Sequence, residues 1–398
     1  MKTITKTDEL IAFCEAAKAF DYVTIDTEFL RERTYYSKLC LIQLAVPGKG
    51  DDHAVLVDPL AHGLKLDALY ALFEDETVVK VFHAARQDLE IFCVDAGVLP
   101  KPLFDTQVAA MVCGFGEQVG YETLVRKITK NSIDKSSRFT DWSRRPLTEA
   151  QKSYALADVT HLRQVYEFLR AKIEKTGRGP WVEEELQILT NPETYRVRPS
   201  EAWRRVKTRT SSPRVIAVVQ ALADFREDYA QTRNVPRSRV FKDDALIELA
   251  STKPTSMEEL GRARLLLREA RKGDIASGIL KAINAALALP KEDLPAAPAQ
   301  DTQAQTNPAL ADLLRVLLKA KAENIGVAAK LIAATSELDA LAMGRRDVAS
   351  LKGWRLDVFG DEALKLCQGE NCIGGGWQYG EDHSGAVLRR RAALFLAG

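Results

Sequence analysis

Two carboxylates, Asp26 and Glu28, interrupt the otherwise apolar and hydroxylic run of residues 23–29. In an extended chain, side chains i and i+2 share a face, so both acids point the same way. Side by side at the end of a buried strand, they repel each other and resist leaving water. A cation between them removes both costs. The pair therefore reads as half of a metal site, and the chain must fold so that further acids reach this strand end.

At 398 residues the chain is long enough for two or three domains. Its hydrophobic content of 46% is ordinary for a soluble globular protein, and a formal net charge of +1 gives no whole-molecule hint of a polyanionic partner. No apolar stretch approaches the ~20 residues of a membrane span, and the polar N-terminus does not read as a secretory signal. Cys14, Cys40, Cys93, Cys113, Cys367 and Cys372 are scattered as in a reduced, cytoplasmic protein. Cys367 and Cys372, with His383 beyond them, form a single loose pair, which argues against zinc.

The first half alternates strand and helix signals. Helical patterns cover residues 8–20, 66–73 and 85–96; strand patterns cover 22–27, 39–46, 53–57 and 78–82. Residues 103–113 pass from strand to helix, and helical periodicity continues to about 189. This order predicts an α/β domain, a mixed sheet flanked by helices. Residues 196–213 form a basic connector, 214–290 are helical throughout, and the Pro/Ala/Gln-rich 291–307 read as a flexible linker. Residues 308–370 are helical again, and 371–398 form a tail with Arg389, Arg390 and Arg391 near its end, read as a solvated face.

Two more acids stand out. Asp88 follows a strand end containing His83 and falls in the first turn of a helix, where the dipole favours an acid. Tyr154 and Asp158 are i and i+4, on one helix face with Leu147, Ala150, Ala157 and Leu162. That face carries Asp158 toward the core, where either a metal or a partner such as Arg163 resolves its charge.

The order Asp26-x-Glu28, Asp88, Tyr154-x-x-x-Asp158 resembles the DEDD exonuclease superfamily in its tyrosine form. Ser153 stands where the histidine form carries its histidine. Surrounding words are similar to the ribonuclease D family over residues 1 to about 190, within an expected exonuclease domain of residues 1–195: Asp58-Pro59-Leu60, Phe104-Asp105-Thr106-Gln107 and Asp141-Trp142-Ser143-x-Arg145-Pro146. Residues 214–290 resemble the helical HRDC module of RecQ-type helicases and ribonuclease D, through Leu222-Ala223-Asp224-Phe225, Asn234-Val235-Pro236-Arg237 and Pro254-Thr255-Ser256. Residues 308–370 resemble a second such module, through Gly353-Trp354-Arg355 and Phe359-Gly360.

The resemblance implies a ribonuclease H-like exonuclease fold followed by all-α HRDC-type domains. It implies a monomeric, metal-dependent 3′→5′ exoribonuclease that releases nucleoside 5′-monophosphates and trims 3′ extensions of tRNA precursors. Two divalent ions, Mg²⁺ or Mn²⁺, would be held by Asp26, Glu28, Asp88 and Asp158, and Tyr154 would orient the attacking water. Oxygen ligands suit these hard cations. Phe29 and Leu30 could stack on the terminal base, and His83 is a structural or substrate-edge residue. Arg204 and Arg205, with Arg196, Arg198, Lys207, Arg209 and Arg214, could track RNA phosphates. Trp142 reads as an anchor for the last helix. Two rival readings keep the same residues: a 3′→5′ DNA exonuclease, and an RNA-binding protein with a decayed nuclease site.

Overall fold

The computed structural model describes residues 2–134, 137–208, 210–296 and 307–370, together with the backbone of two short strands, Gly374–Gly375 and Ala392–Ala393. Arg209, the linker residues 297–306 and the side chains of the tail, with Cys372, His383, Arg389, Arg390 and Arg391, lie outside the described residues. The chain divides into two compact units, residues 1–105, 131–164 and 186–300 in the first, and 106–130, 165–185 and 301–398 in the second.

The first unit is built on a six-stranded sheet in the order β1-β4-β3-β2-β5-β6. The strands are β1 (Lys2–Ile4), β2 (Tyr22–Leu30), β3 (Lys38–Ala45), β4 (Ala54–Val57), β5 (Val79–Phe82) and β6 (Leu103–Asp105). β2, β3 and β4 form an antiparallel meander, while β2–β5, β5–β6 and β1–β4 pair in parallel. Helices α1 (Thr7–Ala17), α2 (Asp67–Glu74) and α3 (Arg86–Ala96) connect the strands. α4 (Thr106–Val112) and α5 (Tyr121–Thr129) belong to the second unit, and α6 (Glu149–Thr176) runs from the first into the second.

Central strands such as β3, buried at Leu39 through Ala45, are nearly continuous runs of apolar residues because both faces are covered. Cys40, Leu41 and Leu56 on the sheet meet Ala155, Leu156 and Val159 of α6, with Trp142 and Leu147 from the segment before it. That segment is fixed by a two-pronged ion pair. Arg145 Nε and Nη2 lie 2.6 and 2.7 Å from Asp58, and Nη2 and Nη1 also donate to the carbonyls of Cys40 and Trp142, each at 2.7 Å. The Asp58 and Trp142–Pro146 words thus meet in space to seat the start of α6. The buried Trp142 is an anchor, with its ring centroid 6.1 Å from that of Tyr154.

The same unit contains the helical segment α8 (Pro213–Thr232), α9 (Arg237–Val240), α10 (Asp243–Thr252), α11 (Met257–Gly261) and α12 (Gly273–Ala288), preceded in the chain by α7 (Gly179–Leu186) of the second unit. α8 packs on α12 and α10 around Leu222, Phe241, Leu246, Leu249 and Ile279. Gly278 lies against the Phe225 ring so closely that a Cβ there would overlap it. The basic connector is more structured than its composition suggests: Ala202 and Val206 enter this helical core. In the second unit, α13 (Pro308–Ile325) and the short helices after it gather around Leu314, Ile332, Leu341, Trp354 and Phe359. Trp354 stacks on Trp181 at 4.5 Å, and Arg355 pairs with Glu184 and Glu185.

Candidate active site

Asp26 and Glu28 sit in the second half of β2, on one face as their spacing requires. The ladder to β3 slips between Glu28 and Phe29: Glu28 opposes Leu41, whereas Phe29 opposes Leu39. Cys40 is the extra residue, and such a bulge bends the strand and re-aims the side chains beyond it. Asp158 reaches the same place from α6, whose backbone is tied to the sheet by the Thr24 hydroxyl donating to the Val159 carbonyl at 2.9 Å. Ligand oxygens of Asp26, Glu28 and Asp158 all lie within 4.8 Å of one another.

Asp88 stands beside this trio. It lies in the first turn of α3, is buried, and accepts a short hydrogen bond from the Thr27 hydroxyl. The turn into α3 is fixed by Asp105 at the end of β6, whose carboxylate accepts from the N–H groups of Ala84 (3.0 Å) and Ala85 (2.9 Å). Ala84 adopts φ +58°, so the chain reverses sharply there. Tyr154 hydrogen-bonds Asp158 one turn away, and its ring packs against the cluster under Trp142.

The electrostatics show strain that a cation would relieve. Burial, then the charge of Asp158, pushes the Asp26 carboxyl well up. Burial and the charges of Asp26, Asp158 and Asp88 push Glu28 up to about 10. Burial raises Asp158 to about 7, opposed by the Tyr154 hydroxyl and by Arg138. Asp88 is raised by burial and then by Asp26. The Tyr154 phenol is raised by burial and by the neighbouring acids. Clustered carboxylates that all resist ionisation, with oxygens converging on one point, fit a divalent cation; the donor set contains neither sulfur nor imidazole.

Arg163 donates to the carbonyls of Gly50 (3.0 Å) and Asp52 (2.9 Å) and holds the β3–β4 connection, while Arg138 is the cation whose charge acts on Asp158. Phe29 and Leu30 are half-buried just past the acids, and Leu30 packs against the Trp142 cluster. His83 is half-buried immediately after β5. In the basic stretch, Arg196 and Arg198 pair with Glu193 at 2.9 and 2.7 Å, and Arg214 donates to the carbonyls of Ala286, Leu287 and Leu289 at the end of α12. Arg204 and Arg205 are exposed on the 3₁₀ turn Pro199–Arg205. Thr27, Asp105 and Arg138 also shape the site, although the sequence pattern assigns them no role. Thr27 lies between the two acids, and Asp105 ends a strand directly before a helix, so both carried a positional signal.

Residues 1–174 match a family described as 3′-5′ exonuclease, and residues 216–283 match the HRDC domain. The chain is 62% identical to ribonuclease D of Jannaschia sp. (strain CCS1), over 92% of this chain and 95% of that one. The chain belongs to the ribonuclease D family. Ribonuclease D of Granulibacter bethesdensis is 50% identical over 93% of each chain. The crystal structure of Escherichia coli RNase D, described as an exoribonuclease involved in structured RNA processing, superposes with a TM-score of 0.81 at 31% identity, covering 92% of this chain and 98% of that one. The chain is thus a 3′→5′ exoribonuclease with a C-terminal HRDC domain, in a ribonuclease D family that acts on RNA and a 3′-5′ exonuclease family that works with divalent metal ions. Among the described residues no helix is long and apolar enough to cross a membrane.

Proposed function

We propose that this exoribonuclease removes nucleotides from single-stranded 3′ ends of structured RNA, tRNA precursors foremost, as a cytoplasmic monomer using two divalent ions, Mg²⁺ or Mn²⁺. The convergence of Asp26, Glu28 and Asp158 within 4.8 Å, beside the buried Asp88, carries the reading. Asp26, Glu28 and Asp158 would hold one ion, and Asp26 with Asp88 would serve the second. When bound, such ions neutralise charge on the attacking and leaving oxygens of a phosphodiester.

The chain's own groups do the rest. Tyr154, held by Asp158, presents its hydroxyl oxygen to the attacking water and orients it. Water adds to phosphorus of the terminal phosphodiester, the bond to the 3′ oxygen breaks, and that oxygen takes up a proton. A nucleoside 5′-monophosphate leaves. Phe29 and Leu30, next to the acids on β2, would contact the terminal base with little regard for its identity, as a trimming enzyme needs. His83 would lie at the substrate's edge, and the exposed Arg204 and Arg205 would meet phosphates further back. The processing role named for the E. coli enzyme supports structured RNA as the substrate class.

The test is a tRNA precursor with a short 3′ extension beside a matched DNA. Loss of the extension with a stop at the folded acceptor stem supports the reading. Preferential digestion of the DNA, or digestion through the stem, contradicts it.

A further inference from the structure

The connection between β2 and β3, residues 31–37, leaves the strand of the acid pair and is held from two sides. At its start, Arg31 forms a two-pronged ion pair with Glu90, its Nη1 and Nη2 lying 3.0 and 3.1 Å from the carboxylate. Glu90 is on α3, the helix that carries Asp88. Further along, Tyr35 inserts into the core of the first helical module, where it is 9% exposed.

The helical module receives Tyr35 with polar groups of unusual cost. Its hydroxyl donates to Glu227 on α8, a carboxylate that is 0% exposed. Arg237 Nε lies 3.4 Å from that carboxylate, and its guanidinium stands 5.6 Å from the Tyr35 ring centroid. Gln231 donates to the Tyr35 hydroxyl at 3.2 Å and to the Val197 carbonyl at 2.7 Å. Asn234, just past α8, turns its side-chain oxygen to the connection and accepts from the backbone N–H groups of Tyr35 (3.1 Å) and Tyr36 (3.0 Å). Its own backbone has φ +49°, a left-handed conformation that asparagine tolerates better than most residues.

A buried carboxylate is a poor way to gain stability, and apolar packing does that better. What this arrangement achieves is a fixed backbone for residues that begin three positions after Glu28. The ladder to β3 slips at the bulge between Glu28 and Phe29 and resumes for only two pairs, Phe29 with Leu39 and Leu30 with Lys38, before the connection leaves the sheet.

We propose that Asn234 and Glu227 are positioning residues for the exonuclease reaction: the first helical module pins the β2–β3 connection, and through it the end of β2 and the α3 helix. The proposal rests on the reading of Asp26, Glu28 and Asp88 as the reacting site. It makes the helical module part of the catalytic framework, in addition to any contact it makes with RNA.

The experiment uses full-length protein and a trinucleotide RNA, which confines substrate contacts to the neighbourhood of the scissile bond. Asn234→Gly keeps the left-handed backbone and removes the acceptor; Asn234→Asp restores an acceptor. Asn234→Gly is expected to lower kcat roughly ten- to a hundredfold with KM unchanged, since small misplacements of reacting groups have costs of this order. Asn234→Asp is expected to recover most of the loss. Wild-type kcat for Asn234→Gly on the trinucleotide, or no recovery with Asn234→Asp at an unchanged melting temperature, would overturn the proposal. Should Asn234→Gly lose its cooperative melt, Tyr35→Phe keeps the ring and removes only the hydroxyl; it is expected to lower kcat, and an unchanged kcat refutes the proposal. Glu28→Gln, run alongside, reports on the site itself: an inactive variant upholds the site reading, and a fully active one overturns it whatever Asn234 shows.

Discussion

Replacing Asp158 with Asn is expected to stabilise the metal-free protein while abolishing its activity. Asp158 is raised from 3.8 to about 7, chiefly by burial. A carboxyl whose folded pKa is raised binds its proton more tightly in the folded state. The folded state therefore loses stability as pH rises from the unfolded value through the folded one. At pH 8, with EDTA present, the ionised Asp158 costs about 4 kcal/mol relative to an unshifted acid. Asparagine removes that charge and keeps an oxygen for the Tyr154 hydroxyl. Neighbouring acids share the relief, so the gain in unfolding free energy should be about 2–4 kcal/mol at pH 8 and fall by more than half at pH 5, where the folded wild-type acid is already protonated. Calorimetric melting of both proteins in EDTA at pH 5, 6.5 and 8 measures it, with a rise of several degrees expected at pH 8. Saturating Mg²⁺ or Mn²⁺ should raise the wild-type melting temperature and close or reverse the gap. If Asp158→Asn melts at or below the wild type at pH 8 in EDTA, with no trend in pH, burial does not hold Asp158 against ionisation and the electrostatic reasoning fails.

Asp105→Ala leaves the N–H groups of Ala84 and Ala85 without their carboxylate. It should destabilise by about 1–3 kcal/mol in denaturant titration and lower activity by displacing Asp88. Gly278→Ala drives a methyl group into the Phe225 ring and should lower stability by about 1–3 kcal/mol. Adding Phe225→Leu should recover part of that loss, and an additive double variant would refute the contact.

Patterns that live within one element were readable from the chain. Asp26 and Glu28 share a strand face, and Tyr154 and Asp158 share a helix face, because the periods of strand and helix are fixed by backbone geometry. Tertiary partners outside that motif order were not readable. Arg163 lies close to Asp158 in sequence, yet the β3–β4 connection offered it two carbonyls. β1, three residues long, is too short for periodicity and is set by its pairing with β4. The basic stretch looked uniform, but Glu193 and the end of α12 claim Arg196, Arg198 and Arg214. The hydrogen bond from Thr27 to Asp88 spans 61 positions, and the one from Tyr35 to Glu227 spans 192. The apolar character of residues 23–29 showed that the acids would meet at a buried strand end; it held no information on which distant side chains would receive them.

The most direct measurement is a time course on a 5′-end-labelled oligoribonucleotide, with wild type and Asp26→Asn, in Mg²⁺, Mn²⁺ and EDTA, with RNA binding followed by filter retention. The account predicts a ladder shortening from the 3′ end for the wild type with either metal, none in EDTA, and none for Asp26→Asn despite retained binding. Cleavage by Asp26→Asn at the wild-type rate, or cleavage in EDTA, would contradict the assignment of this acid cluster as the reacting site.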